Sequence, residues 1–224
     1  MFFSQKNSGK VFCVGFNKTG TTSLHQYFKT LGLKSTHNTE WPRHSSGEDV
    51  GRYYAKHTCY SDGSKCDFEN LDKQLPGSVF ILNKRALKPW LYSRIKHVLR
   101  RGHPDDRGGV PKNSGGMARS FFEDEAKALD AWIIRRKTYH DAVRAYFAGR
   151  SNFLEIDITT EDDWWTEIAE FLDENSLRFR RKPRETKTNT RAVVTHGTDH
   201  VQGYYRLADE RIEAMRALHG DIEE

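Results

Sequence analysis

The sequence has 224 residues, of which 36% are hydrophobic and 30% carry a charge, and its formal net charge is +5. This length predicts one domain with a sizeable core, and the 13 Phe, 9 Tyr and 5 Trp residues exclude a collagen-like, coiled-coil or wholly disordered chain. No apolar run approaches the roughly 20 residues that a membrane helix needs. The positive charge favours an anionic ligand without choosing between a nucleotide, a nucleic acid and an acidic glycan.

The cysteines and the first residues predict the compartment. Cys13, Cys59 and Cys66 form no CxxC pair, and three thiols cannot all be paired within one chain. The first residues contain no apolar segment of a secretory signal. We therefore expect a protein of the reducing cytoplasm, with no membrane span.

Strand-like and helix-like segments alternate along the chain, which predicts an α/β fold with a central parallel sheet flanked by helices. The first apolar run stops at Gly15 and is typical of a buried parallel strand. Strands are expected at residues 10–15, 57–60, 78–83 and 152–158. Helices are expected at residues 21–32, 68–75, 89–100, 118–147 and 160–172, and from about residue 204.

The domain organisation is predicted to be simple. We expect a single domain over residues 1–224. Residues 101–117 are rich in Gly and Pro, and such a long stretch is either disordered or a functional loop over a site. Residues 178–224 form a basic C-terminal segment that begins R-F-R-R-K-P-R.

The segment Gly15–Leu24 reads G-F-N-K-T-G-T-T-S-L and joins the first strand to an amphipathic helix. We call residues 15–20 the Lys18 loop. Two glycines, a lysine and four hydroxyl residues in a strand–turn–helix context are typical of a phosphate-binding loop. Backbone N–H groups and the helix N-terminus favour an anion there, and Lys18 adds a full positive charge.

The loop differs from the phosphate-binding loop of nucleotide hydrolases, where Lys directly follows the second glycine. Here Lys18 precedes Gly20. The second clear strand, V-F-I-L-N-K-R, ends in Arg85 rather than in the Asp that would hold Mg²⁺. The pattern predicts a phosphate-bearing nucleotide bound without a metal. No CxxC or HExxH spacing predicts a metal site elsewhere.

At these two segments the sequence resembles the sulfotransferase family, in particular its small bacterial-type branch. The K18-T-G-T-T22 segment is similar to that family's first loop, and the strand that ends in Arg85, with Ser93 eight residues later, is similar to its second motif. The family's usual Arg-Asp-Pro is Arg85-Ala-Leu here. The resemblance covers roughly residues 10–175. It implies a three-layer P-loop fold.

The resemblance also implies a donor site for PAPS, the co-substrate that leaves as PAP. The loop would bind the 5′-phosphosulfate, and Arg85 and Ser93 would bind the 3′-phosphate. The tail segment K-T-N-T-R is similar to the family's closing loop and adds Lys187 and Arg191. The donor-binding residues are then Lys18, Thr19, Gly20, Thr21, Thr22, Ser23, Arg85, Ser93, Lys187 and Arg191.

In-line sulfuryl transfer to a hydroxyl or amine needs charge stabilisation at the leaving oxygen, which we assign to Lys18. It also needs a general base. Asp62 follows the second predicted strand at the edge where open α/β sheets bind ligands, and we place it first. His37 comes second and Glu40 third; both follow the first helix.

Two other functions remain open from the sequence. A P-loop kinase of a small molecule or nucleotide would share the loop but would need Mg²⁺ and a carboxylate at the strand end. A nucleic-acid binder would use the basic tail, but no RRM, KH or zinc signature supports it, so no nucleic-acid partner is expected. The acceptor, a small molecule, glycan or lipid, would be selected by residues 40–54, 101–116 and the long helix that follows.

Overall fold

The computed structural model describes residues 9–100, 116–184 and 198–222. The chain divides into two compact units, which we call unit 1 (residues 1–84 and 140–190) and unit 2 (residues 85–139 and 191–224). Most of the glycine-rich stretch at 101–117 lies outside the described residues, as does the part of the basic segment at 185–197.

Unit 1 contains a five-stranded sheet in which every neighbouring pair is parallel. The strand order is β2-β3-β1-β4-β5. Val11 of the central strand pairs with Cys59 on one side and with Val79 on the other. The strands are β1 (Val11–Cys13), β2 (Ser35–His37), β3 (Cys59–Ser61), β4 (Val79–Asn83) and β5 (Phe153–Ile156).

Helices connect these strands. A short 3₁₀ helix, Trp41–His44, follows β2. The α-helices are α1 (Thr21–Thr30), α2 (Gly51–Tyr54), α3 (Phe68–Gln74), α4 (Leu87–Leu99), α5 (Gly116–Glu123), α6 (Glu125–Phe147), α7 (Trp164–Glu174) and α8 (Thr198–His219).

The sheet of unit 1 is covered on both faces. On one face Val11, Cys13 and Ile81 belong to a buried cluster with apolar residues of α1 and α7. On the other face the Phe12 ring packs on Phe80 of β4, with ring centroids 5.4 Å apart, and on aromatic residues that precede β3. Residues alternate between faces along a strand, so a strand with apolar residues at every position is buried on both sides. The three-layer α/β fold predicted from the sequence is confirmed.

Unit 2 is helical. The Tyr92 ring of α4 stacks on Tyr205 of α8 at a centroid distance of 4.0 Å. Arg211 of α8 forms a two-pronged hydrogen bond with the Asp130 carboxylate of α6, at 2.7 and 2.6 Å. The Phe121 ring stacks on Trp132 at 5.4 Å. Aromatic stacking and charged pairs on adjacent helices therefore hold this unit together.

The long helix expected at residues 118–147 is two helices, α5 and α6. Asp124 separates them: its carboxylate accepts a hydrogen bond from the Lys127 amide at 2.9 Å, and its backbone carbonyl accepts one from Ala128 at 3.0 Å. An Asp in this position satisfies an N–H of the first helical turn. The continuous helical spacing of apolar residues concealed this interruption.

Two further helices begin at other residues than expected, and one strand was missed. The helix expected from Thr160 begins at Trp164, because the Asp157 carboxylate instead holds a turn through the Thr159 amide at 2.8 Å. The last helix begins at Thr198 rather than near Tyr204. Strand β2 was missed, since its residues Ser, Thr and His are half-buried at the sheet edge and give no apolar run.

The loop after β3 passes close to β1, and Gly63 is the point of contact. Its N–H donates to the Cys13 carbonyl at 3.1 Å, and a Cβ at this position would lie 2.5 Å from the Trp41 ring and 2.6 Å from that carbonyl oxygen. The Trp41 ring is fully buried and its Nε1 donates to the Ser61 carbonyl at 2.9 Å. Neither neighbour can therefore yield easily.

We predict that Gly63→Ala lowers the free energy of unfolding by about 1–3 kcal/mol, the usual cost of overpacking a core. Gly47→Ala is the matched control, since its Cβ would meet no atom within 4 Å, and it should change stability by about 0.5 kcal/mol or less. Urea unfolding of both variants measures the difference. Equal stabilities would contradict the close contact of Gly63 with Trp41.

Candidate functional site

The Lys18 loop leaves β1 at the carboxyl edge of the sheet and ends at the N-terminus of α1. Two of its residues adopt the left-handed backbone conformation, Lys18 with φ 70° and Gly20 with φ 85°. For a residue other than glycine this conformation is strained and persists only when the surroundings enforce it. Such residues concentrate at binding and catalytic sites, which makes Lys18 a functional candidate on structural grounds as well.

Gly20 is required at its position by space and by backbone conformation. A Cβ there would lie 2.4 and 2.6 Å from side-chain atoms of Ile158, a buried residue two positions after the end of β5. Gly20 is also the N-cap of α1, and it contributes no capping side chain. The N–H groups of the first helical turn therefore face the loop without a side-chain cap from Gly20, as an anion site requires.

The hydroxyl group of Thr19 points into the protein. The residue is fully buried, and its Oγ1 donates to the Phe16 carbonyl at 2.5 Å. The same oxygen accepts a hydrogen bond from Nδ2 of Asn83, the last residue of β4, at 2.6 Å. Thr19 therefore uses its hydroxyl within the loop, whereas the sequence assigned that side chain to the donor.

The next three hydroxyl residues form the first turn of α1. Thr21 and Ser23 are buried and Thr22 is half-buried. The Thr21 Oγ1 lies 3.0 Å from Nε2 of His37, the last residue of the edge strand β2. The fold thus brings His37, one of the predicted bases, to the start of the helix that follows the Lys18 loop.

Asp62 follows β3, the strand that pairs with β1. Its φ is 76°, so it is a second strained residue next to the same sheet edge as Lys18, and it is half-buried. The contact of Gly63 with the Cys13 carbonyl ties the Asp62 turn to the end of β1. The structure therefore places the turn that carries Asp62 beside the strand that supports Lys18.

A second histidine, His25, lies next to His37. The rings of His25 and His37 have centroids 5.9 Å apart, and His25 Nδ1 lies 2.9 Å from the Ser35 hydroxyl. Burial and, to a smaller extent, the nearby positive charges of His37 and Lys29 lower the pKa of His25. The lowered pKa favours the neutral form of the His25 imidazole.

Glu40 lies apart from these groups. It precedes the 3₁₀ helix, its side chain is 59% exposed, and it forms an ion pair with Arg43 at 3.1 Å. Such an exposed pair is of little energetic consequence. A general base needs a direct path to the acceptor proton, and an exposed carboxylate bound to Arg43 is the weakest of the three predicted bases.

The remaining predicted donor residues lie in unit 2 or outside the described residues. Arg85 directly follows Lys84 and is half-buried, and its carbonyl accepts a hydrogen bond from Arg136 Nη2 at 2.6 Å. Ser93 is half-buried in α4. Lys187 and Arg191 lie outside the described residues.

Two other site types receive no support from the described part of the chain. Cys13 and Cys59 are buried, and burial raises the pKa of both thiols, which makes them poor nucleophiles. Within residues 9–100, 116–184 and 198–222, no three His, Cys, Asp or Glu side chains lie together as metal ligands would. None of the helices described there is long and apolar enough to cross a bilayer.

The comparison with known families agrees with this geometry. The profile of a family described as "Sulfotransferase domain" matches residues 10–187, which is most of the chain. No curated protein matches the chain. The matched region includes the whole parallel sheet, the Lys18 loop and the turn with Asp62. The chain therefore belongs to the sulfotransferase family and is a transferase of sulfuryl groups.

Proposed function

We propose that this protein transfers the sulfuryl group of PAPS to a hydroxyl or amine of an acceptor, by in-line displacement and without a metal. The observation that carries the proposal is the left-handed Lys18 in a loop that ends at a helix N-terminus whose N-cap residue is Gly20. The family match supplies the sulfuryl chemistry. The loop supplies the reason for choosing a phosphorylated donor.

The residues of the loop fit a phosphosulfate group. The first turn of α1 contains no acidic residue and presents Thr21, Thr22 and Ser23. Their N–H groups, together with the positive end of the helix dipole, would bind the 5′-phosphate oxygens. Lys18 would be held by its left-handed backbone where negative charge develops on the bridging oxygen as the bond to sulfur breaks.

The 3′-phosphate would be bound by Arg85 and Ser93, and we assign Lys187 and Arg191 to the same end of the donor. This assignment rests on the sequence motifs alone. Arginine suits it because the planar guanidinium donates two parallel hydrogen bonds to one phosphate. The carbonyl of Arg85 is fixed by Arg136, which supports an ordered backbone at this residue.

The residue at the end of β4 argues for chemistry that needs no magnesium. P-loop kinases and hydrolases hold Mg²⁺ through an Asp at the end of a neighbouring strand. Here β4 ends with Asn83, whose amide group is engaged by Gly15 and Thr19 within the protein. An amide committed to two protein partners is poorly suited to coordinate a metal, so the kinase alternative is disfavoured.

We assign the general base to Asp62. The acceptor nucleophile forms a bond to sulfur while the bond between sulfur and the bridging phosphate oxygen breaks, so the acceptor proton must leave. Asp62 would take that proton, and PAP would leave with the negative charge facing Lys18. His37, at 3.0 Å from Thr21, is the second choice, and the ion-paired Glu40 is the third.

Donor identity is tested by thermal unfolding with PAP, ATP and ATP plus Mg²⁺. PAP at 100 times its Kd should stabilise the protein by about 2.7 kcal/mol. For a chain of this size that is a rise in Tm of about 5–10 °C. The rise should not depend on Mg²⁺. Stabilisation by ATP with Mg²⁺ and none by PAP would instead support a kinase.

Two variants of Lys18 separate its charge from its backbone conformation. Lys18→Ala and Lys18→Gly both remove the ammonium group and should lower the rate of sulfuryl transfer by about 10²–10³-fold. Glycine accepts φ 70° without strain, so Lys18→Gly should unfold at no lower urea concentration than the wild type. Transfer is measured with radiolabelled PAPS and the best acceptor from a panel of phenols, sugars and amines. Near-normal turnover of Lys18→Gly would remove Lys18 from the mechanism.

The role of Asp62 is tested by Asp62→Asn. Asn tolerates the left-handed conformation well, so the fold should be retained. We expect turnover to fall by about 10²-fold or more, the usual contribution of a general base, with PAP affinity within twofold of the wild type. His37→Gln is the matched comparison at the second candidate. Full turnover of Asp62→Asn combined with a loss of turnover in His37→Gln would instead identify His37 as the general base.

A further inference from the structure

We propose that Asn83 is a positioning residue for the donor site: its side-chain amide fixes the Lys18 loop in the conformation that binds the donor phosphate. This inference rests on the proposed function of the loop. Asn83 lies at the end of β4, which pairs with β1 directly beside the loop. It is fully buried and has no predicted role in catalysis.

The amide group of Asn83 joins the two ends of the loop. Its Oδ1 accepts a hydrogen bond from the Gly15 N–H at 3.2 Å, and its Nδ2 donates to Thr19 Oγ1 at 2.6 Å. The Thr19 hydroxyl has one proton, which it donates to the Phe16 carbonyl at 2.5 Å. A continuous chain of hydrogen bonds therefore runs from Gly15 through Asn83 and Thr19 to Phe16.

This chain encloses Lys18. Phe16 and Thr19 are held relative to each other, and Lys18 lies between them with φ 70°. A strained non-glycine residue keeps such a conformation only when its neighbours over-determine it. Packing adds to the restraint, because a Cβ at Gly15 would lie 2.8 Å from side-chain atoms of Asn83. Asn83 thus acts on the donor through the loop rather than by contact with it.

The chemistry of the hydrogen bonds selects an amide at this position. The loop offers one donor, the Gly15 N–H, and one oxygen whose only proton is committed, Thr19 Oγ1. A carboxamide provides an acceptor oxygen and an N–H donor to match them. A carboxylate at residue 83 has no proton to donate. One of its oxygens would lie about 2.6 Å from Thr19 Oγ1 with no proton between them, which is costly in a buried site.

The test uses the full-length protein and measures the Kd for PAP by calorimetry. Asn83→Asp keeps the size and loses the donor, and Asn83→Leu keeps the number and branching of the side-chain heavy atoms and loses both hydrogen bonds. We expect each to weaken PAP binding at least tenfold. Leu82→Ala is the structural control, because Leu82 is a fully buried neighbour on the same strand. It should lower Tm at least as much as Asn83→Leu while changing the Kd less than twofold.

A double-mutant comparison tests the route through Thr19. If Asn83 acts by holding Thr19, the variant that combines Asn83→Leu with Thr19→Val should bind PAP within about twofold of the weaker single variant. PAP affinity in Asn83→Leu within twofold of the wild type would overturn the proposal. The proposal would also be overturned if the increase in Kd of the double variant equals the product of the increases in the two single variants.

Failure of the proposed function gives a different result. In that case the wild type itself does not bind PAP, and the positioning role is assessed without ligand by hydrogen exchange of the Gly15 amide. Exchange should accelerate at least tenfold in Asn83→Leu and stay within twofold of the wild type in Leu82→Ala. Unchanged exchange at Gly15 in Asn83→Leu would overturn the positioning role whatever the donor is.

Discussion

The pairing of β1 with a parallel strand on each side is the constraint on which the site depends. Val11 pairs with Cys59 and with Val79, so β1 is fixed in the middle of the sheet and is fully buried. Because all the strands are parallel, the loops that follow them leave the sheet at one edge. The position of the Lys18 loop is therefore set by backbone pairing before any of its own side chains contribute.

The hydroxyl residues after β1 take two different positions in this arrangement. Thr19 is turned inward, where its hydroxyl connects the Asn83 amide with the Phe16 carbonyl. Thr21, Thr22 and Ser23 lie in the first turn of α1, whose N–H groups face the loop. A run of similar residues in the sequence thus divides into one whose hydroxyl shapes the loop and three that begin the helix.

The strained residues Lys18 and Asp62 give the site a common physical basis. Each has the left-handed conformation in the segment that follows a strand, and those strands, β1 and β3, are neighbours. The two turns are joined by the hydrogen bond from Gly63 to the Cys13 carbonyl. Such conformations persist only where the surrounding contacts enforce them, and beside Asp62 these contacts include the Trp41 ring, which packs against Phe12.

The sequence by itself determined the fold class, the family and the main candidates of unit 1. The apolar runs at β1 and β4 are buried on both faces, so their composition reveals them, and the Lys18 loop is a local motif read within ten residues. The sequence did not reveal β2, because a short polar edge strand has no apolar pattern. It also did not reveal the interruption at Asp124, because the helical spacing of apolar residues continues across it.

Only the tertiary structure decided which polar side chains work together. Asn83 lies 64 residues from Thr19, and no spacing rule links an amide at a strand end to a hydroxyl in a distant loop. The same holds for His37 beside Thr21 and for the left-handed backbone of Lys18 and Asp62. Local sequence encodes local conformation, whereas these contacts arise from the order in which the strands pair.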